Sequence, residues 1–370
     1  MFKKSVTIVM ILALLIISIK GPAYASSYPN SLSYKWTSNS FKAFDSYGPK
    51  YYESGYTSVF YYTRKSSVLN SFIVYNSLGK VVYKKENDVS VGKIGSIEVT
   101  KKSIVIESQK GLKKIDFKGK QQWFNKSIYG QELFTTASEG IFILDRDAKK
   151  IYKINPTNGK ILWSYKINSN YEILKVRFDP KTETFTIVTK NTLFVMNNNK
   201  LRWKVSLPRG QGIDDISISR NGTVAIQMYD NNGYFLKVYS NQGKLKWQYR
   251  TKDLFIRNSV FNNNDYFCIL IDGKVIWFDT NGKTISSFNL SESYFSPSVF
   301  SATNDLKVYV SYYQRDSKYQ EHYYIRKFDK NGKMLAQSQT NGFDFKTYPN
   351  QVYTVSVKSG NWTLKSYQLK

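Results

Sequence analysis

A lysine that closes a short turn recurs along this chain at a near-constant interval, and that interval constrains the fold more than any other feature. Aligned on the lysine, seven copies read LGK-VVY at Lys80, KGK-QQW at Lys120, NGK-ILW at Lys160, NNK-LRW at Lys200, QGK-LKW at Lys244, NGK-TIS at Lys283 and NGK-MLA at Lys333. The spacings are 40, 40, 40, 44, 39 and 50 residues. Self-similarity at such a period marks a repeat architecture whose units bury their apolar faces against one another.

Each unit carries the same internal grammar. An alternating strand precedes the turn, as in Lys150 to Ile154, Thr192 to Met196 and Lys274 to Phe278. Before it comes a more continuously apolar strand, such as Gly140 to Leu144, Phe185 to Val188 or Tyr266 to Ile271. Turn-rich segments (179–183, 219–222, 262–265 and 302–305) introduce these strands, and an inner strand such as Ile213 to Ile218 leads the unit. Four short strands per roughly 40 residues is the signature of a propeller blade. The expectation is an all-β, eight-bladed propeller of four-stranded antiparallel blades. After the seventh turn the chain supplies three more strands and stops, while Ser33 to Trp36 reads as a lone fourth strand near the start. Ring closure by that N-terminal strand completes the eighth blade and removes an exposed edge; seven blades with an extra hairpin is the alternative.

Composition bounds the setting. Lys3 and Lys4, the apolar run from Val6 to Ile19 and the small-x-small site Ala23-Tyr24-Ala25 read as a signal peptide over residues 1–25. Residues 26–370 are then one secreted propeller domain, with a retained N-terminal anchor as the alternative. The single cysteine, Cys268, sits among apolar residues and reads as a buried structural thiol, so a large core must stabilise the domain without disulfides. Lys plus Arg total 54 against 27 Asp plus Glu. Without Lys3, Lys4 and Lys20 the balance is 51 against 27, or +24. A field of that sign draws the protein toward anionic partners, which outside a cell are wall polymers, acidic lipid headgroups or acidic polysaccharide. A solvated surface with no dedicated ligand is the competing reading. Nucleic-acid binding would be steeply salt-dependent and without base preference, so no specific nucleic-acid partner is expected.

Trp123, Trp163, Trp203 and Trp247 each stand three residues after a turn lysine, and Trp36 occupies the matching place in the N-terminal strand. Tyr83 replaces tryptophan in the first unit, and Ser286 and Ala336 replace it in the last two. A large flat ring at a fixed place per unit is what packing between neighbouring sheets needs. The segment Ile151 to Trp163 resembles the repeat of the quinoprotein-type propellers, which include pyrroloquinoline-quinone dehydrogenases and an eight-bladed outer-membrane assembly lipoprotein. The resemblance implies that this tryptophan docks one blade onto the next. It implies the fold strongly and the function weakly, because binding-only and catalytic members share the repeat.

Catalytic chemistry has few candidates. The quinone enzymes of the family use calcium, a carboxylate base and often a vicinal disulfide, and one cysteine cannot supply that disulfide. Asp145 with Asp147, and Asp214 with Asp215, are the nearest acidic pairs; both read as turn or solvated residues, with a cation beside Asp215 in the central channel left open. His322, the only histidine, reads as an exposed loop residue in Gln314 to His322, and no nucleophile elbow or phosphate loop occurs. The expectation is therefore a monomeric, non-enzymatic binding scaffold without cofactor or metal. Its candidate partner face is built from blade-to-blade connections and middle hairpins and carries Tyr129, Tyr171, Arg209, Tyr229, Arg315 and His322. Tyrosine and arginine there suit a protein or glycan partner. A divergent quinone-dependent dehydrogenase is the alternative.

Overall fold

The computed structural model describes residues 32–38, 41–42, 45–52, 54–62, 71–88, 92–129, 132–252, 256–290, 295–317, 320–340, 344–348, 351–358 and 361–369. The proposed signal peptide and the Trp36 side chain lie outside the described residues. The described chain is strand and turn throughout, and its strands form eight antiparallel sheets, seven of four strands and one of five. From the inside outward, the first sheet holds Asp45–Tyr51, Thr57–Tyr62, Ser71–Tyr75 and Val81–Lys85. The second holds Ile94–Val99, Ser103–Ser108, Gly111–Asp116 and Gln121–Asn125. The third holds Glu132–Thr135, Ile141–Asp145, Lys150–Ile154 and Ile161–Lys166. The fourth holds Ile173–Asp179, Thr184–Thr189, Thr192–Asn197 and Lys200–Ser206. The fifth holds Gly212–Ile218, Val224–Asp230, Gly233–Tyr239 and Leu245–Thr251. The sixth holds Ile256–Phe261, Phe267–Ile271, Lys274–Phe278 and Thr284–Asn289. The seventh holds Phe295–Ala302, Val308–Arg315, Glu321–Phe328 and Met334–Thr340.

The eighth sheet joins the two ends of the chain. Asp344–Tyr348, Gln351–Lys358 and Asn361–Leu369 are followed in space by Leu32–Thr37, antiparallel to Asn361–Leu369, with Phe41–Lys42 pairing at the other end of that strand. First strands of successive sheets lie side by side, and Asp45–Tyr51 lies beside Asp344–Tyr348. The first strands therefore form the hub of a β-propeller and the fourth strands its rim. Because strands alternate in direction, first-to-second and third-to-fourth turns share one face. Second-to-third turns and sheet-to-sheet connections share the other.

The core lies between sheets. Middle strands have neighbours on both faces, so they read as unbroken apolar runs; Phe267–Ile271 and Ser71–Tyr75 are buried at every residue. Between the third and fourth sheets, Phe134, Phe142, Phe178 and Phe185 form a phenyl cluster with centroids 4.6–5.6 Å apart. Cys268 is fully buried, and burial pushes its thiol well above the ordinary range, which keeps it protonated and unreactive.

The repeated turn is where one sheet receives the previous one. Gly159 has φ 72°, a left-handed conformation that favours glycine, and a Cβ there would lie 2.6 Å from the Trp123 ring. The Trp123 indole N–H donates to the Pro156 carbonyl of the same turn at 2.9 Å. Trp203 repeats the arrangement beneath Gly243, donating to the Asn241 carbonyl at 2.9 Å. Trp247 lies under Gly282, and Tyr83 under Gly119. In the sixth sheet two residues divide the work of one tryptophan. Phe288 places its ring under Gly332, and the Ser286 hydroxyl donates to the Lys330 carbonyl, the second residue of its turn as Asn241 is of the earlier one. Ala336 faces a sheet with no third-to-fourth turn, because that sheet's fourth strand comes from the N-terminus. The turns are themselves capped: Asp116, Asp279 and Asp329 each accept two backbone N–H groups on Oδ1.

Candidate binding surfaces

The six residues of the expected partner face all stand on the side made by connections and middle hairpins, but on separate sheets. Tyr129 follows the second sheet and is 69% exposed; Tyr171 follows the third and is 39% exposed. Tyr229 ends the second strand of the fifth sheet, 43% exposed, with its ring 5.5 Å from that of Tyr234. It covers Gly212, where a Cβ would lie 2.1 Å from the ring, so Tyr229 and the Arg209 connection form one patch. Arg315 and His322 belong to a hairpin whose strands run further than the sequence suggests. His322 is the second residue of strand Glu321–Phe328 and not a loop residue. It is half-buried, with Nε2 3.0 Å from Asp316 and Nδ1 3.2 Å from Gln339. The hairpin is extended because Arg315 stands opposite Glu321 and donates to it at 3.1 Å, while the Tyr323 hydroxyl donates to the same carboxylate at 2.6 Å. The bond from Tyr323, then that from Arg315, holds the Glu321 carboxyl below its ordinary value.

At the hub, polar side chains link neighbouring first strands. Glu98 pairs with Lys50 and accepts from Thr135 at 3.1 Å; Arg177 donates to Asp215 at 2.6 Å; Ser217 lies 2.8 Å from Ser259; Ser298 donates to Asn258 at 2.9 Å. Burial raises the Glu98 carboxyl against the opposing pull of Lys50. Burial also raises Asp214, with Lys175 pulling the other way. Glu98, Asp214 and Asp215 thus each face a cation of the protein, Lys50, Lys175 and Arg177 respectively. Among the described residues no group of three or more His, Cys, Asp or Glu is placed to hold a metal ion. Asp145, one of the sequence candidates, accepts the Ala148 N–H within its turn.

The rim has a different character. The eight fourth strands carry Lys35, Lys84, Lys85, Lys166, Lys200, Arg202, Lys204, Lys246 and Arg250 and no Asp or Glu. The eight hub strands carry five cations and seven carboxylates. Charge is therefore sorted by radius. Among the described residues two rim cations have carboxylate partners, Lys84 with Glu86 and Arg250 with Asp230. Exposed apolar side chains are sorted too. Among the described residues the large aliphatic ones, Leu78, Val81, Ile161, Leu162, Leu201 and Leu245, flank the turn lysines. The large aromatic ones are Tyr129, Tyr171 and Tyr229 on the opposite side.

One feature has no counterpart in the sequence reading. A cavity of about 220 Å³ opens between the fourth and fifth sheets on the turn-lysine face, with Thr186, Arg202 and Arg220 in its lining. Thr186 stands on the second strand opposite Val195, which itself stands opposite Trp203; at this place other sheets carry Ser58, Val105, Phe142, Ala225, Cys268 and Tyr309. Ser58, the other small hydroxyl of this column, is hydrogen-bonded to Tyr52 at 2.6 Å, whereas the Thr186 hydroxyl has no partner, a contrast legible only once the strand register is known.

No family model matches the chain, and no curated protein sequence matches it. Solved structures do resemble it. BamB from Moraxella catarrhalis superposes with a TM-score of 0.51 at 10% identity, covering 91% of this chain and 99% of that one. The Dos1 propeller superposes with a TM-score of 0.58 at 10% identity, covering 91% of this chain and 95% of that one. At such identity the likeness is one of fold, and the fold is that of a β-propeller.

Proposed function

We propose that this chain is a secreted, non-enzymatic relative of the quinoprotein-type propellers. It attaches by its rim to an anionic cell surface or wall polymer and presents its tyrosine face to a protein or glycan partner. The observation that carries the reading is the radial sorting of charge: nine cations and no carboxylate on the outermost strands. A scattered excess of lysine needs no such order, whereas an outer surface that meets polyanions does. The turn lysines and the aliphatic residues beside them extend the same edge, and propeller folds are rigid platforms for contacts of this kind.

Retention of the folded protein on cell walls or on an immobilised polyphosphate polymer tests attachment. It is expected to fall steeply between about 50 and 200 mM salt. The variant K200Q/K204Q/K246Q is expected to elute at clearly lower salt than wild type. Retention indifferent to salt or to these substitutions would remove the attachment reading. The resemblance alone motivates the competing reading of a quinone-dependent dehydrogenase. Added pyrroloquinoline quinone with calcium is expected to produce neither a shift in Tm nor dye reduction with alcohols or sugars, and either effect would favour the enzyme.

A further inference from the structure

We propose that the cavity between the fourth and fifth sheets binds a sugar unit carrying an anionic group, carboxylate or phosphate. The inference rests on the glycan part of the reading above and names the chemistry of the glycan. Three observations on the cavity point the same way. First, two guanidinium groups reach it from different sheets. Arg202 is the extra residue of a β-bulge, since Val195 pairs with Trp203 and Met196 with Leu201, and a bulge re-aims the side chain it inserts. Arg220 comes from the first turn of the fifth sheet. Among the described residues neither has a hydrogen bond or ion pair within the protein. Two unpaired guanidiniums on one small hollow recognise an anion by paired N–H donors.

Second, the Thr186 hydroxyl is fully buried, lines the cavity and has no hydrogen-bond partner. A buried hydroxyl left unsatisfied costs about 1–3 kcal/mol, and a valine of nearly the same shape would avoid that cost. The hydroxyl therefore has a use when something occupies the hollow. Third, the lining is mixed in the way a sugar ring requires. Thr184 and Asn197 offer polar atoms near Thr186, while Val195 and Ile218 present apolar surface suited to a ring's C–H face. Asp179 adds an acceptor for a ligand hydroxyl; its carboxylate already accepts the Lys181 N–H at 3.0 Å and the Thr182 hydroxyl at 2.6 Å. A carboxylate there disfavours a bare phosphate ion and tolerates a sugar that brings hydroxyls with its charge. The volume lies below the roughly 300 Å³ at which ordinary ligand pockets begin, so the hollow takes one ring, as the end or a single residue of a chain.

Titration of the full mature protein by calorimetry or amide chemical shifts, with D-glucuronate, glucose 6-phosphate, glucose and inorganic phosphate as separate probes, tests the proposal. The expected result is at least tenfold tighter binding of glucuronate or glucose 6-phosphate than of glucose or inorganic phosphate, with shifts confined to residues of the fourth and fifth sheets. The two acidic sugars together distinguish a carboxylate from a phosphate ligand. R220Q is expected to weaken that binding at least tenfold, and T186V to weaken it severalfold while raising Tm in the absence of sugar. Absence of binding by both acidic sugars, equal binding of glucose or inorganic phosphate, or undiminished binding in R220Q would each overturn the proposal. Neither substitution touches a rim strand. Loss of sugar binding with salt-sensitive wall retention intact therefore leaves surface attachment standing, and the reverse result removes attachment alone.

Discussion

The junction between the second and third sheets and the one between the third and fourth solve the same packing problem differently. At the first, Trp123 is buried under Gly159 and donates to Pro156. At the second, the receiving turn is gone. Asn197 pairs directly with Lys200 across a two-residue turn, Asn198 and Asn199, both at positive φ of 46° and 62°. Two left-handed residues define a tight hairpin that matches strand twist but leaves no overhanging backbone to receive a ring. Trp163 is half-buried, with its ring 6.1 Å from that of Phe142. The phenyl cluster fills the gap, and Lys153 lies over Phe142 at 5.1 Å while pairing with Glu183 at 2.7 Å. Tryptophan docking is thus one means of fastening neighbouring sheets, replaceable where buried aromatic area is supplied from the strands themselves.

The largest effect that would break or sharpen this contrast is tryptophan truncation. W123A is expected to cost about 3–5 kcal/mol in urea unfolding monitored by circular dichroism, and W163A clearly less because the phenyl cluster remains. Equal losses would show that the turn contact contributes nothing beyond buried area. Next is the junction where a pair replaces the indole. F288A is expected to cost about 3 kcal/mol and S286A about 1 kcal/mol, and the double variant should exceed either single loss. A neutral F288A would mean that Gly332 is covered by something else.

The smallest effect lies at the hub. Burial raises the Glu98 carboxyl, so its folded pKa exceeds the unfolded one and proton uptake favours the folded state. Its contribution is therefore fully present below the usual glutamate range and is lost as pH rises through the folded pKa. E98Q is expected to match or exceed wild type in Tm near pH 7, and wild type should gain on it as pH falls from neutral toward about 4.5, with no further gain below. A wild-type advantage that grows with pH would instead mark the Lys50 pairing as the dominant influence on Glu98.

What the sequence made legible is what local chemistry encodes. Turn residues, period-two alternation and the spacing of the tryptophans all act within one unit, so Lys80 through Lys333 could be aligned without knowledge of the ring. The partition between Ser286 and Phe288 is not legible in the motif, which marks a single position per unit, although both residues point to the same side of their strand. The polar run Gln314 to His322 reads as a loop in the sequence, because the Arg315–Glu321 pairing that lengthens the hairpin is a cross-strand contact. The proposed acidic sugar site depends on register: Thr186 is unremarkable within Thr184–Thr189, and only the pairing of strands sets its unpartnered hydroxyl against the cavity. Charge sorting required knowing which strand of each unit lies outermost.

The sheet shared by the two chain ends sets a timetable. Leu32 stands opposite Leu369, so strand Leu32–Thr37 cannot find its partner until Asn361–Leu369 has been made. Loop closure over such a separation is slow compared with the local hairpins of each unit. The hairpins can assemble early and in sequence, while the ring itself locks in a single late event. Until then Leu32–Thr37 has its edge uncovered, and the interval between synthesis and locking is when this protein is most exposed to mispairing with its neighbours.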